Sequence, residues 1–241
     1  PTYNGGVDRA LNLLLYPSNL ASPGRLVKIA RSLSPLFSQT HIVGIDQGAL
    51  PTDEAVAPTV HLTRIRGTSL GAPLGGLRVV CAWGARVYRR FARQRVAAVS
   101  AQNLFLLPLA HTLARRTGAV FAYNAHELET ETVGSAGLRQ RLQRAIERHY
   151  IHRADVVSVV NESIAQWYRE AYPGVDPVVV TNAPTGAEGV IDLRARLGIP
   201  KEALLYLHSG YLAPGRNIPL ILRTFEQVTS AHVVFVGSGA L

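Results

Sequence analysis

The sequence holds one cysteine, Cys81, and no methionine. A single thiol excludes an internal disulfide framework and a thiolate metal site, and it fits a reducing, cytoplasmic setting. No stretch reaches the roughly 18 unbroken apolar residues that a bilayer-spanning helix needs. Aromatic residues make up only 7% of the chain. They do not interleave with basic residues on strands, and no zinc-finger spacing or recognition-helix pattern occurs, so a nucleic-acid-binding module lacks its usual marks. Acidic residues are few as well. Lys and Arg exceed Asp and Glu by 25 − 16 = 9, and nearly all of that excess is arginine. Such a balance favours anionic partners, whether phosphorylated ligands, acidic membrane surfaces or nucleic acid. It also fits the codon usage of a GC-rich genome.

What is present is a globular composition, 47% hydrophobic over 241 residues, without low-complexity tracts. That length accommodates one large domain or two moderate ones. The stretch Ala119-Val120-Phe121-Ala122-Tyr123-Asn124-Ala125-His126-Glu127-Leu128-Glu129 organises the rest. It begins as an apolar run suited to a buried parallel strand and ends in imidazole, amide and carboxylate groups. In open α/β sheets ligands bind at that carboxyl edge. The same residues would also cap the helix that follows.

Around this stretch the chain alternates strands and helices at βαβ spacing. Strands are expected over 9–16, 40–46, 60–65 and 96–101, with a Pro/Asp/Glu-rich loop rather than a long helix between the second and third. Ser22-Pro23-Gly24 leads into a helix over 25–33, and its N–H groups offer a place for an anionic or hydroxylated ligand. A helix over 73–94 carries an inward stripe of Leu77, Val80, Cys81, Gly84, Val87, Tyr88 and Phe91. Its other face, with Arg86, Arg89, Arg90 and Arg93, is either a solvated basic face or a surface for an anionic membrane. The fourth strand ends at Gln102-Asn103. A helix over 138–153 is expected to turn Leu138, Leu142, Ala145, Ile146 and Tyr150 inward and Arg139, Arg141, Arg144 and Arg148 outward. Strands over 154–160 and 177–181 follow, separated by a helix capped by Asn161 or Ser163.

The alternation restarts with strands over 203–208 and 231–236 and a helix over 218–227. The expected organisation is α/β with two Rossmann-like layers: an N-terminal domain over 1–184, a linker over 185–201 and the start of a second domain over 202–241. Two such layers would leave a cleft between them with both carboxyl edges facing in. Because the chain starts at Pro1 and stops just after an apolar strand, a C-terminally truncated piece is expected.

The order Tyr123-Asn124-Ala125-His126-Glu127-Leu128, Glu147-Arg148 ahead of Ala154-Asp155, Asn161-Glu162-Ser163-Ile164 and Asn182-Ala183-Pro184 resembles the large retaining glycosyltransferase family of the GT-B fold, glycosyltransferase family 4. In the second half, Ser209-Gly210-Tyr211-Leu212-Ala213-Pro214-Gly215-Arg216-Asn217-Ile218 is similar to that family's donor-phosphate loop. Val236-Gly237-Ser238-Gly239 resembles its next strand and glycine turn. The resemblance implies a complete acceptor-binding domain followed by the beginning of a nucleotide-sugar donor domain.

It further implies His126 and Glu127 as catalytic residues, with His126 at the cleft edge near the reacting sugar. Ser209, Gly210 and Arg216 would hold the donor diphosphate, for which a guanidinium offers forked, permanent charge. Ser22, Gly24, Gln102, Asn103, Asn124 and Asn182 would line the acceptor side. No metal and no cofactor are expected, since Arg216 would supply the positive charge. Expected partners are a nucleotide-sugar donor, a glycan or lipid-linked acceptor and an anionic membrane surface, with no nucleic acid. The expected location is cytoplasmic or at the inner face of the membrane. Asn124 stands where relatives often carry aspartate, Tyr211 where many carry a second arginine, and the acidic donor-sugar motif would lie beyond Leu241, which would leave this piece weak in donor binding. A sugar-nucleotide epimerase shares the architecture and would draw on Glu127, Glu129 or Glu131 for proton abstraction.

Overall fold

The computed structural model describes residues 10–67, 75–132, 136–183, 189, 191–213, 215–228 and 230–239, with the side chains of 75–80 outside that description. The chain divides into two compact units, Pro1–Ala183 and Pro184–Leu241.

The first unit is built on β1 (Leu11–Leu15), β2 (Gln39–Asp46), β3 (Asp53–Ala57), β4 (Val60–Arg66), β5 (Val96–Ala101), β6 (Val120–Ala125), β7 (Val156–Val159) and β8 (Val178–Val179). These form one sheet in the order β3-β4-β2-β1-β5-β6-β7-β8. Every described pairing is parallel except that of β3 with β4. Helices α1 (Gly24–Leu33), α2 (Gly75–Phe91), α3 (Leu107–Thr117), α4 (Gly137–Tyr150) and α5 (Glu162–Ala171) make the connections.

Successive residues of a strand point to opposite faces, and β1 is buried on both. Leu14 packs with Ile42, Leu62, Leu26 and Ala30 beneath α1. Leu13 and Leu15 pack with Val43, Val99, Phe121, Trp83, Val87 and Leu113 in the larger cluster under α2 and α3. The chain thus leaves β1 on one face of the sheet and β5 on the other. The loops after these two neighbouring strands flank a topological switch point, where open α/β sheets bind ligands.

Local signals set the helix limits. Gly118 closes α3 in the left-handed conformation at φ 71°, its N–H on the Ala114 carbonyl. The Asn161 side chain accepts the Ile164 N–H at the start of α5.

Three expectations are corrected. The segment before β4 is not simply a loop: Asp53–Ala57 forms an antiparallel edge strand. Its mostly exposed, polar sequence carries no alternation to reveal it. On α2, Cys81 is exposed and the inward stripe is Trp83, Gly84, Val87 and Phe91, because the buried indole N–H of Trp83 reaches the Gly44 carbonyl at 3.1 Å. Leu77 and Val80 lie outside the described side chains. On α4, Leu138 and Leu142 are 82% and 44% exposed, while Gln143 and Glu147 are buried. Three tyrosine hydroxyls converge on Glu147, and that shared acceptor turns the helix away from its leucines.

The second unit comprises α6 (Leu193–Leu197), β9 (Leu204–Ser209), α7 (Ile218–Phe225) and β10 (Ala231–Val236), with β9 and β10 paired in parallel. Part of the expected linker, residues 185–188 and 190, lies outside the described residues. Within its remainder, Asp192 caps α6 and Arg194 bonds the carbonyls of Pro200 and Ala203, each at 2.8 Å.

Candidate functional site

At the carboxyl edge of the first sheet, β6 delivers His126 beside the end of β5. The Nε2 of His126 lies 3.0 Å from Oε1 of Gln102. The Gln102 amide nitrogen donates to Ser100 Oγ at 2.8 Å, and that hydroxyl donates to the Leu13 carbonyl. Running back along this chain, the Leu13 carbonyl can only accept. The amide oxygen of Gln102 then accepts from His126, which assigns the imidazole proton to Nε2 and leaves the Nδ1 lone pair unprotonated. Burial, reinforced by the positive charge of Arg25, pushes the His126 pKa down to about 4. The ring is therefore neutral at physiological pH, a hydrogen-bonding group rather than a charge.

The loop between β1 and α1 faces the same switch point and is held rigidly. The Arg64 guanidinium, 3% exposed, donates to the carbonyls of Asn19 and Leu20 at 2.7 and 3.0 Å, and to Glu54 at 3.1 Å. Ser18 accepts the Ile45 N–H at 2.7 Å. Gly44 allows this approach, because a Cβ there would meet the Ser18 carbonyl at 2.6 Å and Leu20 Cγ at 2.5 Å. Ser22 and Gly24 follow this anchored segment, both exposed. Arg25, at the start of α1, brings its charge toward His126.

Asn103 and Glu129 form the second part of the edge. The Glu129 carboxylate accepts from Asn103 Nδ2 at 2.6 Å and from the Leu104 N–H at 2.9 Å, at the amino end of the helical turn leading into α3. A carboxylate suits that position because helix amino ends carry partial positive charge. Burial nonetheless raises the Glu129 pKa to about 7, against the lowering effect of the Leu104 N–H.

The remaining expected residues are placed as follows. Glu127 is exposed, next to His126. Asn124 accepts a hydrogen bond from Ser158, its partner across β6 and β7, so its amide oxygen is used within the sheet. Asn182 accepts from Lys28 Nζ of α1 at 2.8 Å, and Lys28 also reaches the Ala183 carbonyl at 3.1 Å, tying the end of the first unit to α1. The three glutamates have different surroundings, with Glu129 on the α3 side and Glu131 paired to Arg144 at 3.0 Å. Among the described residues no group of three or more His, Cys, Asp or Glu is arranged to hold a metal ion.

In the second unit, Ser209 ends β9 and Gly210 follows at φ 147°. Gly210 and Leu212 donate backbone N–H groups to the carbonyls of Val236 and Ser238 at 3.0 and 2.9 Å. A Cβ on Gly237 or Gly239 would come within 1.8 Å of a carbonyl of that loop. These glycines are what lets the two loops lie backbone to backbone. Arg216 is exposed and precedes α7, whose amino end has no side-chain cap and Asn217 at φ 53°. Among the described residues no side chain caps this helix start, and its free N–H groups, Pro219 having none, suit an anion.

A shallow hollow of about 430 Å³, lined by His111, Arg115, Arg153 and Asp155, opens elsewhere, toward the amino ends of β6 and β7. It has no part in the His126 edge. Sequence reasoning missed Ser100, Arg25 and Arg64 as parts of the site. Only the neighbouring positions of β1, β5 and β6 reveal the first two, whereas an arginine inside an apolar strand pattern was a readable signal for the third.

Known proteins add to this geometry. The model of the glycosyl transferase 4-like domain matches residues 25–186, more than half of the chain. Compared by sequence with curated proteins, the chain matches none. Among solved structures it resembles sucrose-phosphate synthase from Thermosynechococcus elongatus at a TM-score of 0.70 and 13% identity, covering 95% of this chain and 71% of that one. It resembles Anabaena HepE in complex with UDP and glucose at 0.63 and 15%, covering 96% and 62%. It resembles Arabidopsis thaliana UGT89C1 complexed with UDP-L-rhamnose at 0.64 and 9%, covering 98% and 66%. The chain thus spans between three fifths and three quarters of these structures' length, and at such identities the likeness is one of fold. Together with the family match, the parallel sheet and the order of its edge residues mean that this chain belongs to the glycosyl transferase 4-like family, with the Rossmann-like architecture of the GT-B glycosyltransferases.

Proposed function

We propose that this chain acts in transfer of a sugar from a nucleotide-sugar donor to a glycan, lipid-linked or small-molecule acceptor, with retention of anomeric configuration. The observation that carries the reading is the neutral His126, held by Gln102 at the switch-point edge with an unprotonated Nδ1. HepE was solved with UDP and glucose and UGT89C1 with UDP-L-rhamnose, which supports a nucleoside diphosphate sugar as donor.

In this reading residues 1–184 bind the acceptor, 185–201 link, and 202–241 contribute to the donor side. His126 Nδ1 accepts a hydrogen bond from a sugar hydroxyl and fixes the reacting ring. The bond from the anomeric carbon to the diphosphate oxygen breaks as the acceptor oxygen bonds to that carbon, and the acceptor's proton passes to the departing diphosphate. Arg216 and the N–H groups opening α7 stabilise the charge that develops there. That charge is supplied by the protein, so the reading invokes no metal ion. Retention rests on the family resemblance, and an inner-membrane or cytoplasmic location on the expected acceptor.

The test uses the full-length gene product with a panel of nucleoside diphosphate sugars. Donor binding is followed by thermal shift, since a ligand of the native state raises stability by mass action, and product anomers are assigned by NMR coupling. Arg216→Ala should weaken donor binding and His126→Ala should lower turnover. Unchanged donor affinity in Arg216→Ala would overturn the phosphate assignment. A free, epimerised sugar nucleotide formed without acceptor would overturn transfer itself.

A further inference from the structure

Helix α4 presents an unusual division. Its inward side buries Gln143 and Glu147, and its solvent side carries Leu138 and Leu142, 82% and 44% exposed. At 100° per residue, Leu138, Arg141, Leu142, Ala145 and His149 fall on one outward stripe, and all five are exposed. Arg139, Arg144 and Arg148 flank it, exposed as well. The only carboxylate on the helix, Glu147, is fully buried. Every charge α4 shows to solvent is therefore positive. Arg144 is paired with Glu131, while Arg139, Arg141 and Arg148 have no ion-pair partner among the described residues.

We infer that this face of α4 docks on an anionic phospholipid bilayer. Two leucines at the solvent pole of a helix, ringed by arginines, match the interfacial helix that sinks an apolar stripe beneath headgroups while its cations meet lipid phosphates. A nucleic acid would satisfy the arginines and leave the leucines wet. The direction of the chain adds a reason for this location. In a parallel sheet the crossover helix runs antiparallel to its strands, so α4 starts at the carboxyl edge. Leu138 and Leu142, in its opening turns, thus stand toward the same edge as His126. A bilayer held there would present membrane-anchored hydroxyls to the site proposed above. No described helix is long and apolar enough to cross the membrane itself.

The experiment is co-sedimentation of the chain with vesicles of phosphatidylcholine alone and of phosphatidylcholine mixed equally with phosphatidylglycerol. Binding should require phosphatidylglycerol and weaken with salt. Leu138→Ser with Leu142→Ser should lower it about tenfold or more, and Arg139→Gln, Arg141→Gln and Arg148→Gln about fivefold each. All five side chains are exposed, and circular dichroism checks that the variants remain folded. As a second readout, Leu138→Trp should add a fluorescence component that blue-shifts on phosphatidylglycerol vesicles and is quenched by brominated lipid. No vesicle binding, equal binding to both vesicles, or full binding by the leucine variant alongside loss in the arginine variants would overturn the inference. The last result, with competition by RNA, would mark a polyanion surface instead. Vesicle binding needs neither donor nor acceptor, so its failure would leave the transfer reading standing, and the reverse also holds.

Discussion

The Tyr168 hydroxyl donates to Glu147 Oε1 at 2.7 Å, in the interior of the first unit. Tyr123 reaches the same oxygen at 3.0 Å and Tyr172 reaches Oε2 at 2.8 Å. One carboxyl group thereby joins β6, α4 and α5, and it sits behind the strand that delivers His126 three residues after Tyr123. Burial raises the Glu147 pKa and the three donated hydrogen bonds oppose that rise.

Glu147→Leu should therefore destabilise the chain strongly. It removes the acceptor of three buried hydroxyls; those of Tyr123 and Tyr168 lie 3.5 Å apart and can keep one bond between them, so with an unsatisfied group costing about 1–3 kcal/mol a loss of at least about 2 kcal/mol is expected. Glu147→Gln keeps one accepting oxygen and should cost less, while Tyr172→Phe removes a single bond for about 1 kcal/mol. Urea unfolding of the three variants checks the order. Equal stability of Glu147→Leu and wild type would show that the cluster does not hold these elements together.

His126 gives a pH signature. Its pKa is about 4 in the folded chain, set first by burial and then by Arg25, against an ordinary value of 6.5. Between those values the unfolded chain takes up a proton that the folded chain refuses, so stability falls as pH drops from about 6.5 toward 4. His41, lowered to about 4 by burial and by His61 and Arg90, acts in the same direction. NMR titration of the imidazole carbons should show both rings neutral at pH 6, and His126→Gln should flatten part of the acid-side loss. A midpoint for His126 near 6.5 would show that burial and Arg25 do not hold the ring neutral. In the full-length enzyme, turnover should show no histidine titration between pH 5 and 8, and His126→Ala should lower it about ten- to a hundredfold, the worth of one or two hydrogen bonds at a reacting sugar.

The parallel sheet was legible because its strands are short apolar runs between helical periods: β5, β6, β9 and β10 lie within a residue or so of where composition puts them. His126 and Gln102 were legible as polar groups ending such runs. Their contact was not, because sequence does not state that β5 and β6 are neighbours. The inward face of α4 is not legible for a related reason. Leucine periodicity favours Leu138 and Leu142 as core, and only tyrosines 20 or more positions away make Glu147 the buried residue. The strand β3 has no side-chain pattern at all, being held by backbone pairing to β4 and by the reach of Arg64 to Glu54.

Glu129 runs opposite to His126. Its folded pKa is raised to about 7 by burial, so the folded chain holds a proton there that the unfolded chain loses near 4.5. Stability from this group is present below about pH 4.5 and is lost as pH rises through 7. Glu129→Gln should abolish that decline, leaving the variant relatively more stable at pH 8 by up to about 3 kcal/mol, less whatever the lost cap on Leu104 costs. Thermal unfolding of both proteins across pH 4 to 9 separates the two contributions. Parallel curves would show that Glu129 stays ionised throughout and acts purely as a helix cap.

Two glycine substitutions distinguish a packing requirement from a binding one. Gly237→Ala places a Cβ 1.8 Å from the Gly210 carbonyl oxygen and 2.9 Å from its carbon. Backbone cannot yield as a side-chain tip does, so the loop carrying Gly210 toward Arg216 must move or the paired strands must part. A cost of about 1–3 kcal/mol is expected, as for other overpacked sites, together with weaker donor binding in the full-length protein. Gly24→Ala meets open space and sits at the start of α1, where alanine is no worse for the helix. Its stability should match wild type or exceed it by a few tenths of a kcal/mol. Any rise in the acceptor KM of Gly24→Ala would then come from the ligand itself approaching this backbone. Unchanged KM with unchanged stability would move the acceptor away from the loop after β1 and toward the Gln102 and Asn103 side of the switch point.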